Sequence, residues 1–200
     1  LISASSEEAY GELGGSAWNY PRAWLNPQGH IFIINHAGAM YSLNTSGSGS
    51  LIKHKERTDP SSPSLPSLMF APGRILSIRK NRVAVVVDLN NANAPVLTPS
   101  GRPIRDRQYG NATVLANGHV WMNGGSSTGN TLAGVALDSE LWNPATGTWL
   151  AAASATRSRL YHSASMLLPD GTVITAGGGA PGPVNQLNGE IYYPPYLFKK

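Results

Sequence analysis

Four turn glycines at near-regular spacing constrain this chain more than any other feature. Gly29, Gly73, Gly118 and Gly171 each sit between two apolar runs, at separations of 44, 45 and 53 residues. The segments are AWLNPQGHIFIINHAG (Ala23 to Gly38), LMFAPGRILSI (Leu68 to Ile78), ATVLANGHVWMNGG (Ala112 to Gly125) and ASMLLPDGTVITAGG (Ala164 to Gly178). A tight turn needs positive φ, which glycine adopts without steric cost, so each segment reads as strand, turn, strand. Periods of roughly 40–50 residues built from four short strands indicate propeller blades. In the run after Gly29, Ile31 and Ile33 fall on one side of a strand and Phe32 and Ile34 on the other. A strand apolar on both sides is buried on both, as in a blade stacked between neighbours. A β-sandwich core strand shows the same pattern, and the period favours blades.

The third repeat is the most complete. After Gly124-Gly125 comes a polar loop, then ALDSELWNPATGTWL, with Trp142 and Trp149 flanking a Pro144 turn that ends at Gly147. A glycine pair, an aromatic and a Trp seven residues later resemble a kelch blade. The expected fold is all-β: a kelch-type β-propeller with four four-stranded antiparallel blades at about 17–57, 67–98, 107–153 and 158–198, after a lead-in loop over 1–16. Strands are expected at His30–Ile34, Arg82–Asp88, His119–Asn123 and Thr172–Ala176, and a turn at Asn90–Asn93. The Pro/Ser-rich stretch Thr58–Ser67 reads as an inter-blade loop rather than a domain linker, because a repeat resumes at once. No amphipathic helix is evident.

Composition limits the function classes. The chain has 200 residues, enough for one all-β domain. Hydrophobic content of 41% against 13% charged residues argues for a folded domain rather than a disordered one. The net charge of +4 is small and its basic residues are scattered, which argues against nucleic acid as a partner. There is no cysteine, so no disulfide staples the fold. No apolar run approaches the ~18 residues of a membrane span. The opening LISASSEE lacks both an initiator Met and a cationic segment before an apolar core, so no signal peptide is expected and the chain reads as a mature or internal piece. Asn44-Thr45-Ser46 and Asn111-Ala112-Thr113 match the N-glycosylation pattern, which matters only in a secreted eukaryotic protein.

Of the five histidines, His30 and His119 follow turn glycines and read as structural, and His36 and His54 as surface or loop residues. His162 follows Tyr161 at a strand entry. Phenolate and imidazole together suit copper or iron, although a Tyr and His at a strand start also serve as packing residues. Adjacent side chains on a regular strand point to opposite faces. A shared metal therefore demands a loop or bulge at this point, near the propeller axis.

The stretch RLYHSASMLLPDGTVITAGGG, followed by APGPVNQLNGEIYYPPYLF, resembles the last kelch blade of the galactose oxidase/glyoxal oxidase family of copper-radical oxidases. The earlier blades fit the family's bacterial members more loosely. The resemblance implies about four blades of a seven-bladed propeller and copper as cofactor, with Tyr161 as axial metal ligand and catalytic base and His162 as an equatorial metal ligand. It further implies oxidation of a small alcohol, aldehyde or carbohydrate substrate by O2 with release of H2O2, in a secreted, extracellular protein. The partners implied are the rest of the propeller and a C-terminal β-sandwich domain that follows it and carries another histidine ligand. With a site so incomplete, the chain by itself is expected to be inactive. Without cysteine, the family's Cys–Tyr cross-link cannot form within this chain. Tyr109 occupies the repeat position of Tyr161, but by blade order it matches a non-ligand blade, so no radical role is carried onto it. Two other classes remain: a non-catalytic kelch module that binds protein or carbohydrate, and a sialidase-type hydrolase. The second would need an Asp near Ala145, and none is there.

Overall fold

The structure is a computed structural model, and it describes residues 20–62, 64–91 and 94–198. The expected lead-in loop over 1–16 and part of the expected Asn90–Asn93 turn lie outside the described residues. The described chain forms four antiparallel sheets in sequence order. The first comprises β1 (Arg22–Leu25), β2 (Ile31–Ile34), β3 (Ala39–Asn44) and β4 (Ser50–Arg57). The second comprises β5 (Ser67–Ala71), β6 (Arg74–Ile78), β7 (Ala84–Asp88) and β8 (Val96–Pro99). The third comprises β9 (Gln108–Val114), β10 (Val120–Ser126), β11 (Asp138–Asn143) and β12 (Thr148–Ser154). The fourth comprises β13 (Ala164–Leu167), β14 (Val173–Ala176) and β15 (Gly189–Tyr192).

Every sheet is a simple meander, with each strand hydrogen-bonded to the next in sequence. The turns fall where the glycines demand them: Gly29, Gly73, Gly118 and Gly171 all have φ between +69° and +83°. Stacking follows from the two-sided apolar strands. In the second sheet Ile75 pairs with Val87, and Leu76 with Val86. Ile75, Val85 and Val87 pack with Phe32, Ile34 and Met40 of the first sheet. Leu76, Ile78 and Val86 pack on the opposite face with Val120, Met122 and Trp142 of the third. Trp121 and Leu115 then join Val173 and Tyr192 of the fourth sheet, with the Trp121 and Tyr192 rings stacked at 4.4 Å. Strand β9 touches both β5 and β13, so the first strands of successive sheets lie side by side, as at a propeller axis.

Two expectations need correction. The fourth sheet has three strands among the described residues, not four. After β15 the chain runs into Pro194 and Pro195 and turns through a short 3₁₀ segment, Pro195–Phe198. Proline has no N–H to give a ladder and fixes φ, so this stretch makes a poor strand. The strand expected from Arg82 begins at Ala84, because Asn81 and Arg82 take φ of +59° in a 3₁₀ turn. The Thr58–Ser67 connector is pinned rather than loose. Ser61 Oγ donates to the Ile78 carbonyl at 2.9 Å, and Arg79 Nε donates to the Asp59 carbonyl at 2.6 Å.

The paired tryptophans lock the third sheet to the crossing that precedes it. Trp142 is fully buried, edge-on to Phe70 at 4.8 Å, and its indole N–H donates to Ser100 Oγ at 3.0 Å. Trp149 donates to the Ser100 carbonyl at 3.2 Å. A buried indole N–H needs such an acceptor, and Ser100 serves both rings.

Candidate functional site

Three tyrosines from three sheets meet at the entry end of the inner strands. Tyr20 precedes β1, Tyr109 lies at the start of β9, and Tyr161 precedes β13. The Tyr109 and Tyr161 rings lie 4.7 Å apart, tilted at 55°. The Tyr161 phenol is pushed above its ordinary value, first by a hydrogen bond with Tyr20 and then by the nearby Tyr20 and Tyr109 phenols. The backbone is unusual here. Of the five non-glycine residues with positive φ among the described residues, three are Tyr20 (+56°), Tyr109 (+61°) and His162 (+66°). Bulky residues in this region are uncommon and gather at functional sites.

Tyr161 and His162 lie in a turn just before β13, not in the strand. The left-handed backbone at His162 breaks the alternation of a strand and brings the two rings to one side. They stack at 3.7 Å with 27° between planes. His162 is exposed and Tyr161 half-buried. His162 Nδ1 lies 2.9 Å from the Ala180 carbonyl oxygen. A carbonyl only accepts, so Nδ1 carries the proton and the Nε2 lone pair is left free, the usual arrangement of a metal-ligating histidine. The Ala180 carbonyl is presented by the loop after Gly177-Gly178-Gly179, where Gly179 N–H donates to the Tyr161 carbonyl at 2.7 Å.

Behind each inner tyrosine stands a buried arginine that sequence reasoning missed. Arg107 lies two residues before Tyr109, and Arg159 two before Tyr161. Arg107 donates to Glu140 at 2.7 Å, the Gly124 carbonyl at 2.9 Å and the Asp138 carbonyl at 2.6 Å. Arg159 donates to Glu190 at 3.0 Å, the Gly177 carbonyl at 3.2 Å and Asn188 Oδ1 at 2.7 Å. Each arginine thus ties the strand entry to the first glycine of a glycine pair and to a glutamate on the third strand of its own sheet. Burial lowers the Arg107 pKa, and the Glu140 carboxylate holds against it. The available signal was the Arg-x-Tyr triplet at 107–109, recurring at 159–161.

The other expected positions separate from this site. His30 and His119 lie at turns at the far ends of the inner strands. His54 is on β4, not in a loop, half-buried and 2.8 Å from Ser42 Oγ. Asn111 is unsuited to glycosylation, because its amide is on an inner strand and donates to Ser163 at 2.8 Å.

The donor set can be tested against a metal. One phenol and one free imidazole nitrogen on the same side of a turn suit copper, which accepts O and N donors. They provide two positions, and among the described residues no group of three or more His, Cys, Asp or Glu side chains could hold a metal ion. The residues fit part of a copper site, not a whole one.

No protein-family model matches the sequence. Two galactose oxidases of Gibberella zeae are 31% identical over 96 residues, covering 46% of this chain and 14% of theirs. A fungal alcohol oxidase of the AA5 family, solved in complex with copper, superposes with a TM-score of 0.78 at 25% identity, over 90% of this chain and 41% of that one. The chain therefore spans well under half the length of these relatives. No helix among the described residues is long and apolar enough to cross a membrane. In its blade-like sheets, its fold and 96 residues of its sequence, this chain is similar to galactose oxidases and to the copper alcohol oxidase of the AA5 family.

Proposed function

We propose that this chain is the propeller part of a secreted, kelch-type copper-radical oxidase of the galactose oxidase/glyoxal oxidase kind, and that Tyr161 and His162 are its contribution to the metal centre. The observation that carries this reading is the Tyr161–His162 turn, with both rings on one side and His162 Nδ1 engaged by the Ala180 carbonyl. Copper, when bound, supplies the one-electron chemistry that couples substrate oxidation to reduction of O2. The residues of the chain bind and orient. His162 offers Nε2 in a fixed plane. The Tyr161 phenolate oxygen would be the base that takes the proton of a substrate hydroxyl, becoming the phenol. Its raised pKa favours the protonated phenol, and an adjacent cation reverses that preference. Net, a primary alcohol and O2 give an aldehyde and H2O2.

The remaining ligands and the radical site belong to further blades and a following β-sandwich domain. The far face of the fourth sheet supports such a neighbour: Met166, Ile174 and Ile191 are in register across the sheet, with Met166 61% and Ile191 43% exposed. The chain alone is expected to bind copper weakly and to release no peroxide. The test is peroxide release from galactose, glyoxal or methylglyoxal with copper added, comparing the chain with a longer form that includes those domains. Turnover in the longer form, abolished by Tyr161→Phe, supports the reading. A copper-loaded, oxidant-activated longer form that is silent on all three substrates, with no copper retained by the chain, favours a kelch binding module instead.

A further inference from the structure

One side chain outside the fourth sheet holds the Tyr161–His162 turn. Asn130, in the loop between β10 and β11, reaches across to it with both ends of its amide. Its Oδ1 accepts the Tyr161 N–H at 3.3 Å, and its Nδ2 donates to the Gly179 carbonyl at 3.2 Å. Gly179 N–H in turn donates to the Tyr161 carbonyl at 2.7 Å. Asn130 thus closes a ring that joins the backbone of Tyr161 to the loop whose next residue, Ala180, orients His162. Gly182 is shaped to this contact: a Cβ there would lie 2.5 Å from Asn130 Nδ2.

We infer that Asn130 is the positioning residue of the Tyr161–His162 pair, setting through the Gly179–Ala180 backbone the direction in which the His162 Nε2 lone pair points. This rests on the copper reading of that pair. A side-chain amide is suited to the task because it satisfies one backbone donor and one backbone acceptor at once, fixing their separation. Partners that orient a metal-bound histidine act through its remote nitrogen, and their loss typically weakens metal affinity about 10–100-fold.

The test uses Cu(II) on the full chain, with affinity read by competition against a chromophoric chelator and the histidine read by pulsed EPR. The Nδ1 nitrogen modulates the copper echo, and its quadrupole coupling reports its hydrogen bond to Ala180. Wild-type protein should show this modulation, and His162→Ala should abolish it. Asn130→Ala should weaken Cu(II) binding about 10-fold and shift the quadrupole coupling, with the circular dichroism unchanged. If Asn130→Ala does not fold, Asn130→Asp serves, because it keeps an acceptor for Tyr161 and loses the donor to Gly179. It too should shift the coupling. Wild-type coupling and affinity in the folded Asn130 variant overturn the inference and leave the copper reading standing. Copper binding that is indifferent to His162→Ala overturns the copper reading itself.

Discussion

The buried pair Arg107–Glu140 permits a quantitative prediction. The two side chains are 1% and 0% exposed. Glu140 accepts three hydrogen bonds: from Arg107 Nε at 2.7 Å, the Ile104 N–H at 2.5 Å and the Arg105 N–H at 3.0 Å. Glu140→Leu keeps most of the volume but removes the carboxylate that Arg107 Nε binds, leaving the buried guanidinium with two carbonyl acceptors and only the Asp138 charge nearby. Breaking a buried pair on one side costs about 3–5 kcal/mol. Each backbone donor left without a partner adds about 1–3 kcal/mol, less where the exposed segment at Ile104 and Arg105 can turn to water. The expected loss is therefore about 4–6 kcal/mol. In a domain of this size that lowers the thermal midpoint by roughly 10–20 °C. Arg107→Met combined with Glu140→Leu should recover most of the loss, since an apolar replacement of both partners leaves no stranded charge. Glu190→Leu is the internal control. Glu190 is 23% exposed where Glu140 is 0%, so water can reach the position it vacates and the loss should be smaller. Urea unfolding followed by tryptophan fluorescence reads all four proteins. A loss below about 1 kcal/mol for Glu140→Leu, or a double variant no better than the single, would refute the claim that an unpaired buried charge sets the cost.

Gly124→Ala should destabilise by about 2–5 kcal/mol: Gly124 has φ +65°, and an added Cβ would lie 2.5 Å from the Arg159 carbonyl oxygen. An equally stable Gly124→Ala protein in differential scanning calorimetry would mean that the third and fourth sheets are not in close contact there. Burial alone would raise the Glu190 pKa, but the hydrogen bonds from Thr156 and the charge and hydrogen bond of Arg159 outweigh it and hold the carboxyl below its ordinary value. The unfolded chain then binds more protons, so this contribution is present above the ordinary Glu pKa and lost as pH falls through the lower folded value. Glu190→Gln should flatten the acid limb of a stability–pH curve below about pH 4.5 without changing its shape near neutrality. Burial beside Trp121 pushes the Tyr192 phenol up to about 12. Its contribution is full below the unfolded value near 10 and is lost as pH rises through the folded value. Tyr192→Phe should therefore remove a late step from the alkaline absorbance titration at 295 nm, and an unchanged late step would place that phenol elsewhere.

Much of the architecture was legible in the chain itself. Positive φ at four spaced glycines is a local requirement, so the turns could be read without knowing what surrounds them. Apolar residues on both faces of the run after Gly29 likewise announced that both sides would be covered, and the structure puts Phe32 and Ile34 in one cluster and Ile33 against another. The Tyr161–His162 pair stood out as a Tyr–His at a strand entry, and a metal role for it was implied only by the family resemblance. Its need for a break in the strand followed from strand geometry, and His162 at φ +66° is that break.

What the chain did not disclose is what depends on residues far apart in sequence. Arg107 and Glu140 are 33 positions apart, and Asn130 and Tyr161 are 31 apart; no local pattern marks either as a pair. The tautomer of His162 depends on where the Ala180 carbonyl comes to rest, 18 residues on. The meeting of Tyr20, Tyr109 and Tyr161 depends on how three sheets are arrayed about one axis. Periodicity and glycine placement report the energetics of a residue's own backbone and immediate neighbours. Sequence alone therefore determined the turns, the two-sided strands and the meander order. Only the tertiary structure decided which buried charges pair and which loop aims the imidazole, because those choices are made by sheet stacking that brings distant residues within hydrogen-bond reach.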